Sequence, residues 1–114
     1  MSTEQRRFER VPVELAGEML VKGEHVHVAT NNLSEGGVGL LLEHAVPDGT
    51  KIELTLFLTQ DGIEDPDEEP FESAAVVRWT GERDDGMFLV GVQFEALDAS
   101  RKAQLDRFLA ALQT

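Results

Sequence analysis

The chain has 114 residues, no cysteine, and 22 acidic against 10 basic side chains, for a formal net charge of −12. That length suits one compact domain with a real hydrophobic core, and the missing cysteines exclude disulfides, thiol catalysis and thiolate metal sites. The acidity excludes broad contact with a nucleic acid polymer or an anionic membrane, because either needs a basic face. There is no apolar run of about 18 residues and the first ten residues are polar, so the expected location is cytoplasmic.

The first ten residues carry Arg6, Arg7 and Arg10 and little that could hold the backbone, which predicts a flexible N-terminal arm over 1–10. Residues 11–114 read as the folded unit. From Val11 to Val21 apolar and polar residues alternate with the period of a half-buried strand, and Lys22-Gly23-Glu24 turns the chain. His25 to Thr30 and Val38 to Leu42 are expected as the second and third strands, separated by the polar turn Asn32-Leu33-Ser34-Glu35-Gly36-Gly37. A fourth strand follows Pro47-Asp48-Gly49 with Ile52, Leu54, Leu56 and Leu58 on one face.

Asp61 to Glu72 packs seven acids around Gly62, Pro66 and Pro70 without a single Lys or Arg, so it reads as an exposed loop. Phe71 to Arg83 and Phe88 to Phe94 are then joined by the hairpin signal Asp84-Asp85-Gly86. Six strands with short connections and no intervening helix predict an all-β fold, a six-stranded antiparallel β-barrel. The period changes at the end. Leu105, Phe108, Leu109 and Leu112 mark a C-terminal amphipathic helix over 98–113, with Asp98 or Ser100 as N-cap. Trp79 and the six phenylalanines are expected in the core, although a strand tryptophan can also flank a base.

A guanidinium cluster in an acidic chain calls for an anionic partner, since arginine forks match phosphate oxygens and guanine edges bidentately. The turn at Asn32 offers an amide, the Ser34 hydroxyl, and Gly36 and Gly37, which permit positive φ and a close approach of ligand to backbone.

Arg6-Arg7-Phe8-Glu9-Arg10 and Asn32-Leu33-Ser34-Glu35-Gly36-Gly37 together resemble the signature motifs R-x-x-x-R and D/N-x-S-x-x-G of the PilZ domain family. The resemblance extends through Val76-Val77-Arg78-Trp79 and Val90-Gly91-Val92-Gln93-Phe94 to the final helix. It implies a non-catalytic receptor for the bacterial second messenger cyclic di-GMP. Carried over by motif position, Arg6 and Arg10 would contact phosphate and guanine; Arg7, outside the strict motif, would assist. Asn32 and Ser34 would hold guanine from the barrel side, while Gly36 and Gly37 shape the turn. Ordering of the arm would relay binding to a downstream protein. The implied species is a monomer or weak dimer without a resident cofactor. Asparagine at position 32 offers one amide oxygen where a carboxylate could accept from both guanine N1–H and N2–H, so a modest affinity is expected.

The alternative is a ligand-independent protein–protein interaction module using the terminal helix or the acidic loop. His25, His27 and His44 lack partner carboxylates at metal-ligand spacing, and the acidic loop lacks the spacing of a calcium loop, so no metal is expected. There is no G-x-S-x-G and no Gly-Lys-Ser/Thr phosphate loop, so no catalytic constellation is expected.

Overall fold

The computed structural model describes residues 10–59 and 69–112. Among these the chain forms β1 (Val11–Pro12), β2 (Ala16–Val21), β3 (Glu24–Leu33), β4 (Gly37–Leu42), β5 (Lys51–Leu56), β6 (Phe71–Glu82), β7 (Phe88–Glu95) and α1 (Ala99–Leu112). Every strand pairing is antiparallel, in the order β3-β2-β5-β6-β7-β4, and β4 returns to β3 to close a six-stranded barrel. The seventh strand, β1, lies outside that closed ring and pairs with β3. Closure leaves the interior to side chains: Met19, Leu40, Leu54, Leu56, Val77 and Val90 are almost wholly buried. Each alternates along its strand with an outward neighbour.

The hairpin between β2 and β3 is a two-residue turn with positive φ at both Lys22 (50°) and Gly23 (82°), matching the twist of the flanking strands. Helix α1 starts as its cap chemistry dictates, because Asp98 Oδ1 accepts the Arg101 N–H at 2.8 Å. Its apolar stripe, Leu105, Phe108 and Leu109, joins the same core as the barrel interior, where Phe71 and Phe94 meet edge to face at 5.2 Å. The helix observed, Ala99–Leu112, falls within the expected 98–113; Gln113 lies outside the described residues.

Three expectations need correction. The first strand is not continuous from Val11 to Val21, because the ladder to β3 breaks between Pro12 and Ala16 and its register shifts by one residue. Thr30 causes the break. Its buried hydroxyl accepts the Leu15 N–H at 2.8 Å and donates to the Val13 carbonyl at 2.6 Å, standing in for backbone partners. Inward and outward alternation survives the break, so a pattern of period two cannot reveal it.

Trp79 is outside the barrel, 41 % exposed, although it continues the inward series of Ala75 and Val77. A bulge between Val77 and Trp79 inserts one extra residue in β6, which turns the indole to the outer face. The acidic segment also ends earlier than Glu72. Residues 60–68 lie outside the description, but Phe71 and Glu72 already belong to β6, paired with Leu56 and Thr55. Gln104 of α1 ties that end down by donating Nε2–H to the Glu69 carbonyl at 2.6 Å.

Replacing Thr30 by isosteric Val should leave a buried N–H and a carbonyl without their partner. We expect a loss of about 1–3 kcal/mol of stability in urea unfolding; an unchanged midpoint would contradict this account of the break between β1 and β2.

Candidate functional site

Arg10 enters from the N-terminal side of β1, and β1 is laid against the far end of β3 by the pairs Val11 with Leu33 and Pro12 with Asn32. That register brings the two sequence motifs together. Arg10 Nη1 donates to Asn32 Oδ1 at 2.5 Å across a separation of 22 residues. Asn32 in turn donates Nδ2–H to Asn31 Oδ1 at 3.0 Å, and Asn31 is the residue skipped by the irregularity in the β3 to β4 ladder. The carboxamide is thus fixed at both ends, which assigns its oxygen to the arginine side.

Beneath it lies a residue that sequence reasoning passed over. A Cβ on Gly39 would come within 2.8 Å of Asn32 Nδ2, so the amide rests on bare Cα. Gly39 pairs with Gly91 on β7, and Gly91 pairs with Trp79 on β6. The indole overlies Gly91 closely enough that any side chain there would collide with it. Asn32, Gly39, Gly91 and Trp79 therefore form one cross-strand row on the outer wall. Its floor is two glycines, its ends an amide and an exposed indole, and it spans roughly 14 Å at ordinary strand spacing. Beside the row Arg78 donates Nε–H to Gln93 Oε1 at 2.6 Å, and Gln93 is the register partner of Gly37. A faint signal was available: glycine between inward aliphatic residues, as in Val38-Gly39-Leu40 and Val90-Gly91-Val92, marks close approach on the outer face.

The remaining motif residues are placed as follows. Ser34 is buried, and its Oγ accepts the N–H groups of Gly36 and Gly37 at 3.2 Å each while donating to the Gly37 carbonyl at 3.3 Å. It shapes the turn from within. Neither Gly36 nor Gly37 adopts positive φ; among the described glycines only Gly23, Gly49 and Gly86 do. Gly37 is required for another reason, since a Cβ there would drive into the Val92 carbonyl of β7. Gly36 passes its carbonyl to the Phe94 N–H at 3.0 Å. Arg6 and Arg7 lie outside the described residues. Among the described residues no three His, Asp or Glu side chains gather to hold a metal ion, and no helix is long and apolar enough to cross a membrane.

The PilZ domain family profile matches residues 4–111, so the chain belongs to the PilZ domain family. No curated protein matches it. Among solved structures it is similar to the PilZ domain of Escherichia coli YcgR with c-di-GMP, at TM-score 0.76 and 20 % identity, covering 96 % of this chain and 92 % of that one. It is also similar to the Bacillus subtilis inhibitor of motility MotI/DgrA, at TM-score 0.79 and 18 % identity, covering 96 % of this chain and 51 % of that one. A third likeness is to the K. pneumonia MrkH–c-di-GMP complex, at TM-score 0.74 and 15 % identity, covering 95 % of this chain and 52 % of that one. The chain thus spans about half the length of MotI/DgrA and of MrkH.

The two motif-region glycines should respond differently to a methyl group. Gly37→Ala meets rigid backbone and is expected to cost about 1–3 kcal/mol or more by thermal unfolding. Gly39→Ala meets only the tip of a side chain, so it should cost under about 1 kcal/mol while shifting the Asn32 side-chain amide resonances. Equal destabilisation by the two would refute the distinct roles given to them.

Proposed function

We propose that this PilZ domain is a non-catalytic receptor for cyclic di-GMP, and that the ligand binds across the outer wall between Arg10 and Trp79. One observation carries the reading: Arg10 and Asn32, one from each motif, meet at one end of a cross-strand row whose other end is an exposed indole. Guanine can stack on the exposed indole of Trp79 and present its hydrogen-bonding edge to the Asn32 amide and the Arg10 guanidinium. The phosphates call for further guanidinium groups; Arg6 is the candidate by motif position, with Arg7 beside it as a helper outside the strict motif. Membership in the family and likeness to YcgR and MrkH structures holding c-di-GMP support this choice of ligand.

The position of Arg10 supports a relay through the N-terminal arm. Arg10 stands directly before β1, so a ligand that engages it also engages the segment preceding it; residues 1–10 would close over the bound nucleotide and change the surface offered to a downstream protein. Ser34, with its hydroxyl spent inside the turn, would act chiefly by holding the Asn32 strand end in shape.

Isothermal titration of the whole chain with cyclic di-GMP should give saturable heat, weakening as salt rises. Arg10→Ala is expected to lower affinity about ten- to a hundredfold, or about 1.5–3 kcal/mol. Trp79→Ala, exposed and outside the core, should weaken binding by about 1–3 kcal/mol through lost base stacking. No heat at millimolar ligand would favour the ligand-independent interaction module, and unchanged affinity in either variant would remove that residue from the site.

A further inference from the structure

The barrel seam between β3 and β4 is only half closed. Pairing of β3 with β4 begins at Ala29 with Leu41, whereas Glu24 to Val28 pair with β2 alone. At Leu42 the β4 strand is still paired with β7, through Phe88. The two strands part, and a groove of about 760 Å³ opens between them.

The hairpin fixes what the groove edge displays. In a two-residue turn the flanking pair, Val21 and Glu24, exchanges both backbone hydrogen bonds, and hydrogen-bonded pairs then alternate along the ladder at Met19 with Val26 and Gly17 with Val28. His25 and His27 must therefore aim their N–H and C=O groups away from β2, into the groove. Among the described residues these groups have no backbone partner. The floor between the banks is apolar, lined by Met19, Val28, Leu42 and Val46, with Val26 half-buried above them. Lys22 and all three histidines of the chain line the groove with Glu24 and Glu43, so its charges nearly balance in a protein of net charge −12.

We propose that this groove receives an extended segment of a partner protein, which adds as a strand to the Glu24–Val28 edge of β3. Unpaired edge donors and acceptors over an apolar floor are the elements of strand addition, in which backbone bonds give affinity and alternate side chains give specificity. Inward side chains of the added strand would be aliphatic. Its outward ones would be acidic or hydroxylic, beside Lys22, His25 and His27. The segment Glu43–Pro47 forms the opposite bank, so a free chain fits where the wall strand of a second barrel does not. The proposal does not depend on cyclic di-GMP binding; if the receptor reading holds, it names where the downstream protein docks.

The test uses the full chain, labelled with ¹⁵N, and a panel of end-capped peptides of about six residues in which Val, Ile or Leu alternates with Glu or Thr. At least one peptide should bind with its largest shifts at the His25 and His27 amides. Methylating the peptide nitrogens that face β3 should weaken binding at least tenfold, while methylation at the alternate positions should not. His27→Pro, which removes a groove-facing N–H and no bond to β2, should produce a similar loss with far-UV circular dichroism unchanged; should that variant unfold, the methylated peptides decide without altering the protein. The proposal is overturned if no peptide perturbs these amides, if methylation at either set of positions is equivalent, or if the chain without peptide dimerises through His25 and His27.

Discussion

A hydrogen bond from Arg10 to the carboxamide of Asn32 couples the side chains of two motifs that the pairing of β1 with β3 lays side by side. It exists because β3 serves three neighbours. Along one edge β3 holds β2 and then β1; along the other its distal half closes the barrel with β4. Thr30 and Asn31 sit where these demands collide, one giving its hydroxyl to the chain before β2 and the other left over between Thr30 and Asn32 in the ladder to β4. Both accommodations occur within two residues of Asn32, so the irregular part of the strand is also the part that presents the amide.

Glycine does a different job on the outer wall from the one usually assigned to it. Gly37, Gly39 and Gly91 are needed for closeness rather than for unusual φ: they let β7, the Asn32 amide and the Trp79 indole approach bare backbone. A strip of outer wall covered by the Asn32 amide at one end and the Trp79 indole at the other results. The β6 bulge completes it, because without that extra residue Trp79 would share the inward face of Val77 and the strip would lack its aromatic end.

Most of the architecture could be read from residue order. Alternation located six barrel strands, Lys22-Gly23 and Asp84-Asp85-Gly86 located two turns, and the change to helical spacing after Asp98 located α1. What alternation hides is the irregularity that preserves it or flips it silently. The break before β2 keeps the same faces, while the bulge before Trp79 inverts one face without altering composition. The motif residues Arg10, Asn32, Ser34, Gly36 and Gly37 were legible as a set, but their separate tasks were not. Ser34 reads as a hydroxyl awaiting a ligand until its two backbone donors are seen, and Gly39 reads as filler until Asn32 is found lying on it. Contacts between distant strands decide these tasks, and a local pattern carries no record of register.

In the proposed reading Arg10 and Asn32 grip one nucleotide as a unit, and a double-mutant cycle measures that directly. Cyclic di-GMP affinities of the parent chain, Arg10→Ala, Asn32→Ala and the double variant should be non-additive, with a coupling of about 0.5–3 kcal/mol. Losses that simply add would mean that the two residues act independently, and would contradict the central claim.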